Sequence, residues 1–191
     1  MGRWGVVRQG YLPSSIAAIV GSNDLTAAHF EYPTKVWGGG TAMTDVMAFI
    51  PNSVIAVEAK VDEPFDDVVS HWIEREAKRN PRSPPHRRNV IQRYAKALTV
   101  DAESLLDIRY QLLQRTLCAS IVAYARGLSE AWMIVQHFPC GAVSDKVINR
   151  SDFDAFVALV GNAPVVEGVK VRLAWPPGDR SCEVSAVRDL L

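Results

Sequence analysis

The sequence predicts a single α/β domain folded round a mixed β-sheet. Three observations predict it. Two strand-like runs, Thr44 to Ile50 and Val54 to Val61, are separated only by the turn residues Pro51-Asn52-Ser53. A long helical run without Pro or Gly follows, from about Glu103 to Arg126. Strand and helix signals then alternate to the C-terminal side, which is the order of a sheet covered by helices. A chain of 191 residues is long enough for one well-buried domain and short for two.

The elements are read in order as follows. Pro13-Ser14-Ser15 caps a short helix, Ile16 to Val20, which Gly21 stops. Gly38-Gly39-Gly40 is a breaker. The two strands form a β-hairpin, the second rich in β-branched residues. His71 to Lys78 reads as a short helix, Asn80 to Pro85 as a loop because of its three prolines, and Val90 to Leu98 as a helix. In the long helix, Leu105, Ile108, Leu112, Leu113, Leu117, Ile121 and Val122 keep helical spacing, and Gly127 stands at the C-cap. Ala131 to Phe138 is a strand closed by Pro139. Ser151 caps a helix running to Val160 and Gly161, and Val169 to Trp175 is a last strand closed by Pro176-Pro177.

The formal net charge is zero, so no global basic field marks a polyanion-binding protein. The charge is unevenly spread: Arg75 to Lys96 holds eight Lys or Arg residues and one acid, Glu76. Such a basic arm on an acidic body can contact phosphates, with Arg87 and Arg88 as the candidate substrate contacts; the plainer reading is a solvated helix face. The three cysteines, Cys118, Cys140 and Cys182, form no CxxC pair and suggest no disulfide framework. No run approaches the roughly 18 apolar residues of a membrane helix, and the N-terminus has no signal-peptide pattern. The expected location is the cytoplasm, with no membrane partner.

The strand Ser53 to Val61 contains a contradiction. It is apolar on both faces up to Val57, as a central strand should be, and then carries Glu58 and Lys60 on one face. Burying both charges unpaired would be costly. A turn centred near Asn52 sets Asp45 against Glu58 or Ala59, and partners across a strand pair lie roughly 4.5–5.5 Å apart at Cα. Carboxylates that close repel unless a proton or cation lies between them. Mg²⁺ (or Mn²⁺) suits hard oxygen ligands, here Asp45, Glu58 and the Ala59 carbonyl. Lys60 would then orient or deprotonate an attacking water, or offset charge in a phosphoryl transition state.

Asp45, then twelve residues, then Glu58-x-Lys60 resembles the motif of the PD-(D/E)XK nuclease superfamily. The wider phrases Val57-Glu58-Ala59-Lys60-Val61-Asp62-Glu63-Pro64-Phe65 and Arg109-Tyr110-Gln111-Leu112-Leu113-Gln114-Arg115-Thr116 resemble a bacterial family placed in that superfamily. The resemblance covers about Gly38 to Phe138, with the helix and strand of residues 151–175 as an extension. It implies a restriction-endonuclease-like α-β-β-β-α-β core, a mixed central sheet flanked by helices, and a Mg²⁺-dependent nuclease with a nucleic-acid partner, DNA before RNA. It admits a homodimer. It also implies a polar residue on the helix after the catalytic strands. Gln111 is the candidate catalytic residue there and Arg115 the candidate substrate contact, one turn apart on a helix face. Thr44 stands where the superfamily often has Pro, and Glu31 is the weak candidate for an additional acid.

Plainer readings stand beside these. The tripeptide also occurs as Glu76-Ala77-Lys78, read as a solvated helix face. Gln111 and Arg115 suit an amphipathic helix equally well, and His137 is read as a structural histidine. The competing functions are a non-catalytic nuclease-fold module for nucleic-acid binding or assembly, and an interaction subunit whose charges only pair with each other.

Overall fold

The computed structural model describes residues 6–37, 40–61, 63–77, 84–138 and 144–176. Gly38, Gly39, Lys78, the Asn80–Ser83 stretch, Pro139, Cys140, Pro177 and Cys182 lie outside the described residues. The elements are β1 (Val6–Tyr11), α1 (Ser14–Val20), β2 (Asp24–Lys35), β3 (Thr41–Ile50), β4 (Ser53–Lys60), α2 (Val69–Ala77), α3 (Pro84–Leu98), α4 (Tyr110–Ala125), β5 (Glu130–His137), α5 (Ser144–Val160), β6 (Val165–Val166) and β7 (Val169–Ala174). The seven strands make one mixed sheet in the order β1-β2-β3-β4-β5-β7-β6. The first four are antiparallel neighbours, β4, β5 and β7 run parallel, and β6 closes the far edge antiparallel to β7. The fold is therefore α/β with a mixed sheet, as expected.

The two faces are unequally covered. On one, Leu12 and the α1 residues Ile16 and Val20 lie over Ala48, Ile50, Ile55, Val57 and Ile134. On the other, α4 packs Leu113, Leu117 and Cys118 with Met47, Ala56, Met133 and Val135, joined by side chains of α2, α3 and α5. Alternation along β4 thus sends Ile55 and Val57 toward α1, and Ala56 and Glu58 toward α4. The charged pair is delivered to the thick side, where α4 waits.

The hairpin has the expected register: Ile50 pairs with Ser53 and Val46 with Val57. The order α1, β2, β3, β4, α4, β5 contains the expected α-β-β-β-α-β run, with α2 and α3 inserted before α4. Its first β-strand, β2, was not read in the sequence, and neither was β1. For β2 the cause lies in Glu31, whose φ is +50°. The β2–β3 ladder runs from Ala27↔Phe49 to Lys35↔Thr41 but skips Glu31↔Asp45. At that level the alternation shifts: His29 and Tyr32, three residues apart, both meet the Phe49 ring. A strand that changes phase midway shows no clean period of two. Among the described residues β1 pairs with β2 as far as His29, so Pro33 faces no described strand on that edge and costs no described ladder bond. The kink turns the ends of β2 and β3 over the helices, so that Val36 and Ala42 join the α4-side core.

Four local readings are corrected. Helix α1 begins at Ser14, with Pro13 in the cap position and no side-chain cap bond. Helix α3 begins at Pro84, not after the prolines, since the first helical turn needs no N–H partners. The long helix does not start at Glu103: residues 103–105 form a 3₁₀ turn, and Arg109 is extended, bridging Val68, before α4 begins. Tyr110 N–H bonds the Asp67 carbonyl and Val69 N–H the Ile108 carbonyl, so tertiary pairing overrides local helix propensity there. Helix α5 starts at Ser144, which puts Ser151 inside it rather than at its cap. The glycine stops hold: Gly21 and Gly127 take φ of +71° and +69°.

Candidate functional site

The hydrogen-bonded pairing of β3 with β4 ends at Val46↔Val57. One step further, Asp45 Oδ2 accepts the Ala59 N–H at 2.8 Å. The side chain thus replaces the ladder where β3 leaves β4 and bends with β2. The N–H and C=O of a strand residue point to the same edge, so the Ala59 carbonyl also faces the Asp45 side. The neighbouring carbonyl, of Lys60, faces the other edge and accepts the Phe138 N–H at 2.7 Å. The opening between β3 and β4 is therefore lined by Asp45 and the Ala59 carbonyl.

Glu58 lies on the α4 face and is 2 % exposed. Its Oε1 meets Lys60 Nζ at 3.0 Å and accepts a hydrogen bond from Gln111 Nε2. Its Oε2 meets Arg115 Nε at 2.5 Å. Gln111 and Arg115 are one turn apart on α4, and both point at Glu58. Of the sequence-predicted site residues, Asp45, Glu58, Ala59, Lys60, Gln111 and Arg115 come together. Arg115 contacts the carboxylate itself and extends a second nitrogen to Gln114 Oε1 at 3.1 Å.

Burial pushes the Glu58 carboxyl above its ordinary range; Arg115 opposes the rise, the Asp45 charge adds to it, and Lys60 opposes it. The desolvation of a nearly inaccessible carboxyl outweighs its cationic neighbours in setting that direction. The upward effect of Asp45 is the mutual repulsion of two nearby carboxyl groups.

A clamp holds the segment after β4. The buried Asn149 of α5 accepts the Phe65 N–H at 2.9 Å and donates to the Glu63 carbonyl at 2.9 Å. Gln111 Oε1 accepts the Asp66 N–H at 3.2 Å, so the same amide side chain holds both the segment and Glu58. Arg109 spans Asp152 of α5 at 2.8 Å and the Asp66 carbonyl. This fixes Phe65 beneath Lys60, whose ammonium lies 5.3 Å from the ring centroid, with Glu63 Oε1 at 3.9 Å from Nζ. His137 pairs with Lys60 in the parallel register and stacks on Trp175. Among the described residues its buried Nε2 meets no hydrogen-bond partner.

Arg87 and Arg88 are placed differently from the carboxylate partners. The Arg87 guanidinium lies 4.1 Å over the Trp72 ring and donates to the Trp72 carbonyl, joining α3 to α2. Trp72 in turn stacks on Tyr110 at 4.1 Å. Arg88 is exposed on α3. Sequence reasoning missed Asn149 and Arg109. Asn149 is a polar residue inside an unremarkable helix and Arg109 an extended residue before α4; neither sends a local signal, and only the assembled fold gives them their partners.

Fold and site together define an α/β protein in which buried Glu58, Lys60 and Arg115, with half-buried Asp45 and Gln111 beside them, gather at the carboxyl end of a central strand. The chain belongs to the family described as a domain of unknown function (DUF6946), whose model matches residues 4–180. No curated protein and no solved structure gives a significant match to it. Among the described residues, no helix is long and apolar enough to cross a membrane.

Proposed function

We propose that this chain is a Mg²⁺- or Mn²⁺-dependent nuclease, hydrolysing phosphodiester bonds of nucleic acid, DNA before RNA. One observation carries the reading: Asp45, Glu58, Lys60, Gln111 and Arg115, drawn from two strands and a helix, converge on one strand end. An open sheet commonly binds its ligands there, beyond the carboxyl ends of its parallel strands.

The donor chemistry fits a hard divalent cation. The Asp45 carboxylate and the Ala59 carbonyl face one opening, and Glu58 supplies a second carboxylate. Among the described residues no group of three or more His, Cys, Asp or Glu side chains is arranged as a metal cage. A site with few protein ligands suits Mg²⁺, which retains waters and takes substrate oxygens. The bound ion would supply an activated water and charge neutralisation on phosphate. Lys60 would hold the attacking water and give the developing phosphoryl charge a partner. Gln111 would keep Glu58 and the Asp66 segment in position, and Arg115 would bind a phosphate oxygen.

Isothermal titration with Mn²⁺ tests this, together with cleavage of a supercoiled plasmid. Binding and cleavage that both disappear in Asp45→Asn are the expected result. Absence of Mn²⁺ binding by the wild-type chain, with or without DNA, overturns the reading.

A second reading has its own support. Glu58 already receives two cations and an amide. That is what a cluster maintained purely for packing would look like, in a non-catalytic module of this fold used for nucleic-acid binding or assembly. DNA binding without metal, unchanged in Asp45→Asn, would favour it.

A further inference from the structure

We infer that Arg115 is a latch on the metal position: it holds Glu58 in the ligand-free protein and yields it only when a phosphodiester is present. This rests on the metal-dependent reading above and adds its regulation.

The argument is one of geometry and charge. Arg115 Nε lies 2.5 Å from Glu58 Oε2, and Lys60 Nζ 3.0 Å from Oε1. Both carboxylate oxygens of Glu58 are therefore occupied by protein cations, and Gln111 takes a further share of Oε1. All three charged side chains are buried. Glu63, 3.9 Å from Lys60 Nζ, has a side chain 55 % exposed and is screened by solvent; without it, Glu58 and the half-buried Asp45 stand against Lys60 and Arg115, and the inner cluster is neutral. A divalent ion added to it would leave two uncompensated positive charges in a region of low dielectric, which is strongly disfavoured. With the Arg115 guanidinium withdrawn from Glu58, the excess is one, and one phosphodiester anion cancels it.

The guanidinium has somewhere to go. Its Nη1 is already held by Gln114 Oε1 at 3.1 Å, so Arg115 can release Glu58 while keeping a partner. Its planar fork matches a phosphate as well as a carboxylate. The substrate then does two things with one group: it draws Arg115 off Glu58 and supplies the negative charge that the metal-loaded site needs. Metal and DNA become linked ligands, each raising the affinity for the other by the same factor.

The test is Mn²⁺ affinity, read by isothermal titration and by the Mn²⁺ electron paramagnetic resonance signal, with no turnover required. Wild type, Arg115→Gln and Asp45→Asn are compared, each alone and with a DNA duplex carrying phosphorothioate linkages. The expected result is that Arg115→Gln binds Mn²⁺ at least about fivefold more tightly than wild type without DNA. Wild type gains a similar factor when the duplex is added, and Arg115→Gln gains much less. If Arg115→Gln does not fold, the wild-type comparison with and without duplex, corrected by Asp45→Asn for ions bound to DNA, decides alone. Tight Mn²⁺ binding by wild type without DNA, unchanged by the duplex or by Arg115→Gln, overturns the latch and leaves the metal-dependent reading standing. No Mn²⁺ bound by any variant under any condition overturns both.

Discussion

Lys60 Nζ lies 3.0 Å from Glu58 Oε1, two residues along the same strand, with both side chains nearly inaccessible to solvent. The strand alternation that puts them on one face also puts them under α4, where Arg115 completes the ion cluster. Removing one member of such a buried cluster leaves the others uncompensated. Glu58→Ala is therefore expected to destabilise the fold by about 3–5 kcal/mol. Urea denaturation checks this; a loss below about 1 kcal/mol would mean that the cluster is better hydrated than its burial indicates.

The pH dependence has a definite sign. Burial holds the Glu58 carboxyl above its ordinary value near 4.5 in the folded chain. The folded state then binds this proton more tightly than the unfolded one. The contribution of Glu58 to stability is full below the unfolded value and declines as pH rises through the folded value. The stability of wild type minus that of Glu58→Gln, from urea midpoints, should fall as pH rises from about 4.5 and then level off. A difference that grows with pH would show that the flanking cations dominate instead.

Asn149 holds two backbone groups of the segment after β4. Asn149→Leu leaves the buried Phe65 N–H without its acceptor, which should cost about 1–3 kcal/mol. Hydrogen exchange at Phe65 should accelerate, while exchange in the distant β5–β7 pairs stays as it was. Uniform acceleration over the whole sheet would assign Asn149 to general core packing rather than to this clamp.

Glu31 pays a conformational penalty at φ +50°. A non-glycine residue there costs roughly 1–2 kcal/mol relative to one free to adopt it. Glu31→Gly should leave stability level or raise it by up to about 1 kcal/mol, and Glu31→Val should lower it by about 1–2 kcal/mol. Thermal or urea midpoints decide. Equal effects of the two substitutions would place the kink elsewhere.

Much of this was legible in the sequence because it is written locally. Pro51-Asn52-Ser53 between two apolar runs fixes the β3–β4 register, and that register brings Asp45 to the Ala59 amide. The break in apolar character after Val57 marks where β4, still buried, passes from apolar packing to the charged cluster. The spacing of Gln111 and Arg115 puts them on one helix face. Strand β2 was illegible because its alternation changes phase at Glu31. The start of α4 was misread because Arg109 is drawn into pairing with Val68, far outside any helical window.

The sequence by itself determined the hairpin, the strand that carries Glu58 and Lys60, and the face of α4 that carries Gln111 and Arg115. Only the tertiary structure decided which cations meet Glu58. Arg115 reaches it, while Arg87 stacks on Trp72. Only the tertiary structure, too, brought Asn149 to the segment after β4. Periodicity and turn chemistry act over a few residues and can be read along the chain. Ion pairing and burial depend on distances between elements that meet only when the sheet is assembled.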